Sequence, residues 1–167
     1  MDRLCIHSIT NKPWSLDTLI EKYTASGVPA LTVWEDAIKD IGAKAAGDML
    51  AKSGLEIVSY ARGGFFPDLN RAKREENIDN NKRMLEDASV LGAPLMVLVC
   101  GADPGQSLQQ SRDQIRSGIE AVLPTAADFG VKLAIEPLHP MYADDRSAIN
   151  TLSQANDMTE AIDCLLY

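Results

Sequence analysis

Short apolar runs alternate along the chain with longer stretches whose apolar residues recur about every three or four positions, and these two periods predict strands and helices in succession. Leu4 to Ile9 reads as a strand interrupted by His7. Ser15 then starts a helix in which Leu16, Leu19, Ile20 and Tyr23 share a face, ending at Gly27. Ala30 to Trp34 is a second strand closing on Glu35 and Asp36, followed by a helix marked by Ile41, Ala45, Ala46, Met49 and Leu50 that stops at Gly54. Leu55 to Ala61 is a third strand. The breakers Gly63, Gly64 and Pro67 in RGGFFPDLN predict an irregular loop, and a helix follows from about Arg74 to Leu91, with Ile78, Leu85 and Ala88 on one face.

The next run, Leu95 to Cys100, is apolar without interruption, the pattern of a strand covered on both faces. Gly101 to Gly105 turns the chain into a helix from about Leu108 to Phe129, with Leu108, Ile115, Ile119, Val122 and Ala126 as its buried stripe. Pro124 within that stripe predicts a kink or a break. Val131 to Ile135 is a fifth strand, bounded by Gly130 and Pro137, with the carboxylate of Glu136 at its C-terminal tip. A last helix, from about Ser153 to Cys164, buries Ala155, Met158 and Ile162.

Five strand–helix units imply a parallel sheet with right-handed crossovers. An open doubly wound sheet and a (β/α) barrel both satisfy that order. The segment SITNKPWS after the first strand carries no Gly-rich phosphate fingerprint, which disfavours the dinucleotide-binding open sheet. The expectation is a parallel (β/α) barrel of the TIM type. Since a full barrel takes about 250 residues, the 167 residues here make one domain that is a partial barrel, truncated after about five βα units.

Composition narrows the class. A formal net charge of −8 argues against a nucleic-acid partner, which would want clustered Lys and Arg. No apolar run approaches membrane-spanning length and MDRLCIHSI lacks the pattern of a signal peptide, so no membrane partner and a cytoplasmic location are expected. Cys5, Cys100 and Cys164 are far apart and without CxxC spacing, as reduced structural thiols would be.

The candidate chemistry gathers after the fifth strand, where Glu136, His139, Tyr142, Asp144, Asp145 and Arg146 follow one another. The segment LAIEPLHPMYADDRSAINTLSQA resembles the fifth strand and following loop of the sugar phosphate isomerases/epimerases of the xylose-isomerase-like barrel superfamily. The likeness runs through the whole element order and is specific mainly between Leu133 and Ala155. It implies proton or hydride transfer between adjacent carbons of a small sugar or polyol, assisted by a divalent ion (Mn, Mg, Co or Zn). By that resemblance Glu136 corresponds to the metal ligand of the fifth strand and to one of two acid/base carboxylates. The strands that would bring the remaining ligands are absent from this chain. By itself Glu136 could equally cap its strand on neighbouring backbone amides.

Other residues are open to two readings. His7 faces either the barrel interior as a substrate-binding group or a satisfied core position. Trp34 and Tyr60, at the ends of the second and third strands, either stack on a sugar ring or pack. Gly101 permits close backbone approach or serves the turn. His139 is a further substrate-binding candidate in the fifth-strand loop, and Glu136 would hold an ion weakly unless His139, Asp144 or Asp145 turned inward. Arg146 pairs with a phosphate or with Asp144 and Asp145. GGFF is a lid over substrate or a loop burying two phenylalanines.

Function divides accordingly. One class is an isomerase/epimerase, or a dehydratase of cyclic polyols on the same scaffold. The alternative is a truncated, non-catalytic barrel fragment that associates with another chain. The related apurinic-site endonucleases fit less well, because they call for more metal while this acidic chain has only two histidines, His7 and His139. Open barrel edges on the first and fifth strands predict self-association, with a homo-oligomer as its ordered form.

Overall fold

A computed structural model describes residues 3–162, so Cys164 and the LLY terminus lie outside the described residues. The elements in order are β1 (Cys5–His7), α1 (Leu16–Ala25), β2 (Ala30–Trp34), α2 (Gly42–Ser53), β3 (Glu56–Gly64), α3 (Arg71–Val90), β4 (Leu95–Val99), α4 (Leu108–Phe129), β5 (Lys132–Ile135) and α5 (Leu152–Ile162). Single 3-10 turns cover Ser8–Asn11, Glu35–Ala37 and Pro140–Tyr142.

All five strands are parallel and pair in chain order, β1-β2-β3-β4-β5. That order separates the two architectures left open by the sequence. A doubly wound sheet reverses direction at a switch point, whereas consecutive right-handed crossovers that never reverse put every helix on one face, as in a barrel wall. Neighbouring helices accordingly pack on one another from α1 through α4, and α5 packs on α4. The expected partial TIM-type barrel is what forms.

Strand alternation gives the two faces different jobs. Leu31, Val33, Tyr60, Met96, Leu98 and Leu133 turn toward the helices and join Leu19, Leu50, Leu85, Ile115 and Ile119 in the core. The opposite, inner wall carries Cys5, Thr32, Ser59, Val97 and Ala134. Thr32 Oγ1 meets Ser59 Oγ at 2.9 Å and Cys5 Sγ at 3.5 Å, a short polar row across three strands. Val97 and Ala134 are only half-buried, because no facing strand among the described residues covers them.

Four expectations are corrected. First, β3 runs on through Arg62 to Gly64, where the breakers had predicted loop. Gly64 replaces lost side-chain packing with a clamp: the buried Asn81 amide donates to its carbonyl at 2.8 Å and accepts from its N–H at 2.6 Å. Second, of the kink or break expected at Pro124, the break does not occur, since α4 continues through it. Third, Leu108, expected in the buried stripe, is 37% exposed in the first turn of α4. Fourth, Ala45 is exposed, the buried face of α2 being Ala46, Gly47 and Leu50. Cys5 and Cys100 are free thiols as expected, and burial pushes the Cys100 thiol up to about 12.

Candidate functional site

The C-terminal tips of parallel strands converge on one face, and here those tips carry His7, Trp34, Arg62 and Glu136. The first two are tied together. The Trp34 backbone N–H donates to Ser8 Oγ at 2.9 Å and its indole N–H donates to His7 Nδ1 at 3.1 Å, with the ring centroids 6.3 Å apart. His7 is therefore exposed at the mouth rather than satisfied in the core. Beside Trp34 a groove of about 650 Å³ opens between the first two strand-to-helix loops, lined among others by Trp14, Lys12 and Asp36. The bond from Lys12 holds the Asp36 carboxyl below its ordinary value against the opposing desolvation, with the Lys12, Lys39 and Arg62 charges acting in the same direction as the bond. The groove does not extend to Glu136.

Glu136 continues the β5 ladder by one residue, its N–H donating to the Leu98 carbonyl at 3.0 Å. Strand parity, set by Leu133 and Ile135 turning toward the helices, directs it to the inner side. It is exposed, and among the described residues its carboxylate takes no hydrogen bond or ion pair, so the strand-capping alternative finds no support. The loop beyond is fixed by its own return leg. Leu138 N–H donates to Ile149 O at 3.0 Å, the Asn150 amide donates to Leu138 O and Ser147 O, and Arg112 Nε holds Ala148 O at 3.0 Å.

Several candidates stand elsewhere. Tyr60 lies inside β3, not at its end, and is fully buried toward the helices. It cannot stack on a ligand there, and burial pushes its hydroxyl pKa up while the hydroxyl finds no partner. Gly101 is also a correction. Its N–H and carbonyl are taken by Arg146 O and Ala148 N, and an added Cβ would meet Phe65 Cα and Pro67 Cδ at 2.8 Å. The close approach it permits is to its own chain, at φ +91°. His139 is exposed and caps the 3-10 turn, Nδ1 accepting from Met141 N–H at 3.2 Å, instead of turning inward. The Arg146 guanidinium lies 4.8 Å over the Tyr142 ring. Of the GGFF stretch, Phe66 is buried against Gly118 on α4, which fits the burying alternative rather than a lid.

Arg62 is the residue the sequence reading missed. Its guanidinium stands 5.6 Å from the Trp34 ring centroid and 5.0 Å from that of Phe65. Only its place between an apolar strand and two glycines marked it in the sequence.

Among the described residues no group of three or more His, Cys, Asp or Glu side chains is gathered to hold a metal ion. No described helix is long and apolar enough to cross a membrane.

Comparison with known proteins bears on most of the chain. The profile of the family described as xylose isomerase-like TIM barrel matches residues 21–165. The crystal structure of protein SMc04130 from Sinorhizobium meliloti 1021 is 41% identical, with a TM-score of 0.90 over 95% of this chain and 59% of its own. The IOLI protein with a zinc atom is 18% identical at TM-score 0.78, over 95% of this chain and 58% of that one. D-psicose 3-epimerase in the presence of D-fructose is 15% identical at TM-score 0.78, over 95% and 59%. The last two likenesses speak for the fold alone. The chain spans about three fifths of the length of these structures. No curated protein matches it.

Proposed function

Because this chain belongs to the xylose isomerase-like TIM-barrel family, whose solved neighbours include sugar epimerases, we propose that it forms the greater part of a cytoplasmic sugar or sugar-phosphate isomerase/epimerase with Glu136 as an acid/base carboxylate. The observation that carries this reading is the free carboxylate of Glu136, held on a rigid strand tip at the mouth of the wall. In such a reaction Glu136 takes the proton from the carbon beside a ketose carbonyl. The C–H electron pair moves into a new C=C bond, the carbonyl pair moves onto oxygen, and a proton returned to carbon completes the change. His7 and Trp34 offer a hydrogen-bonding edge and an apolar ring to the sugar.

His7 and Glu136 stand on opposite edge strands, four strand spacings or about 19 Å along the sheet, before curvature shortens the gap. The substrate lies between them only if the wall curls toward closure. The second carboxylate of an epimerase then comes from the chain that closes the barrel across the β1 and β5 edges, a second copy included. A divalent ion wants about six ligands, water among them, and the described residues gather no group of three or more His, Cys, Asp or Glu side chains, so they do not by themselves fit one. Turnover of a ketose panel, with divalent salts supplied, tests the reading. Interconversion at a carbon beside the carbonyl is expected, and no turnover of any ketose would overturn it.

A further inference from the structure

The tip of β3 presents a positive charge that no described residue pairs in an ion pair or hydrogen bond. The pairing of β3 with β4 skips a residue between Ala61 and Gly63, so Arg62 is the unmatched residue of a bulge. Such an irregularity re-aims a side chain. Here it carries the guanidinium between two rings, Trp34 on one strand tip and Phe65 on the next loop. Arg62 is exposed, and among the described residues no hydrogen bond or ion pair occupies its donors. Asp36, the carboxylate whose charge it feels, is already bonded by Lys12 at 2.9 Å.

The second ring is held at a cost. Phe65 has φ +55°, the left-handed region that non-glycine residues avoid, and such strain costs on the order of 1–3 kcal/mol. Its N–H is fixed to Val99 O at 2.9 Å, the next N–H to Cys100 O at 3.0 Å, and Asn81 clamps the residue before it. An exposed cation–π contact returns only about 0.5–1 kcal/mol. Packing of a surface arginine therefore does not account for the construction, whereas pre-setting a five-donor fork for a ligand does.

We propose that Arg62 receives a phosphate group borne by the sugar, and so sets specificity for phosphorylated over neutral ketoses. The inference rests on the proposed function for the sugar itself. Arg62 is two strand spacings from Glu136, roughly 10 Å along the sheet, which a phosphorylated sugar spans. Arg146, in the loop after β5, is instead stacked on Tyr142.

Calorimetric titration of the protein with inorganic phosphate, D-fructose and D-fructose 6-phosphate tests it, in the wild type, Arg62→Lys and Arg62→Met. The ester should bind at least tenfold tighter than the parent sugar. That ratio should fall to near one in Arg62→Met, together with loss of phosphate binding, and lie between in Arg62→Lys, which keeps the charge without the fork. Equal affinity for the two sugars in the wild type, or a ratio unchanged by Arg62→Met, would overturn the inference. Turnover of neutral ketoses without preference for the ester would sink Arg62's role and leave the proposed function standing. Phosphate binding lost in Arg62→Met, with no ketose turned over, would do the reverse.

Discussion

The indole N–H of Trp34 donates to Nδ1 of His7 at 3.1 Å, joining the tips of the first two strands. An Nδ1 that accepts leaves the proton of the neutral ring on Nε2, which then points a donor away from Trp34. Nitrogen-15 spectra of His7 should show Nδ1 as the unprotonated nitrogen, and Trp34→Phe should reduce that preference to the weaker one of a free neutral imidazole. A ring protonated on Nδ1 in the wild type would remove His7 from the mouth arrangement.

Asn81 carries more than its own burial. Its amide bonds both backbone groups of Gly64 and the Asn77 carbonyl at 2.8 Å. Asn81→Ala strands buried polar groups at about 1–3 kcal/mol each. A loss near 3 kcal/mol is expected, lowering the thermal midpoint by roughly 6–12 °C for a chain of this size. A change within about 0.5 kcal/mol would contradict the clamp.

Tyr60 gives the opposite expectation. Its ring fills the core while its hydroxyl is buried without a partner. Tyr60→Phe should be neutral or stabilising by up to about 1 kcal/mol. Tyr60→Ala should cost about 3–5 kcal/mol through the cavity it leaves. Denaturant unfolding of the two variants checks both.

The sheet order and the core faces were legible because each strand is a short apolar run and each helix repeats at its own period; β2 and α4 come out with the bounds that the pattern predicts. The β3 tip was not, since glycine usually ends a strand and only a distant side chain, Asn81, makes Gly63 and Gly64 continue one. Tyr60 was misplaced for the same reason: with the strand ended early, an interior position read as a tip. Glu136 was legible from its place after Ile135. Arg62 was not, because its two rings come from different strands and loops.

Strands β1 and β5 leave edges that pair on one side only among the described residues, beside a half-buried inner wall. Light scattering across a dilution series should show association that weakens on dilution, and charge changes on the β5 edge should weaken it further. A dilution-independent monomer would require that the wall is covered in some other way.

The acid/base role proposed for Glu136 has a direct signature, because a proton exchanged through a carboxylate at the mouth is replaced by solvent deuterium. Proton NMR of a turned-over ketose in deuterated water, with wild type and Glu136→Gln compared, measures that exchange. The account predicts deuterium at the carbon beside the carbonyl with the wild type and at least a hundredfold slower incorporation with the variant, folded as before. Incorporation at the same rate in both would contradict it.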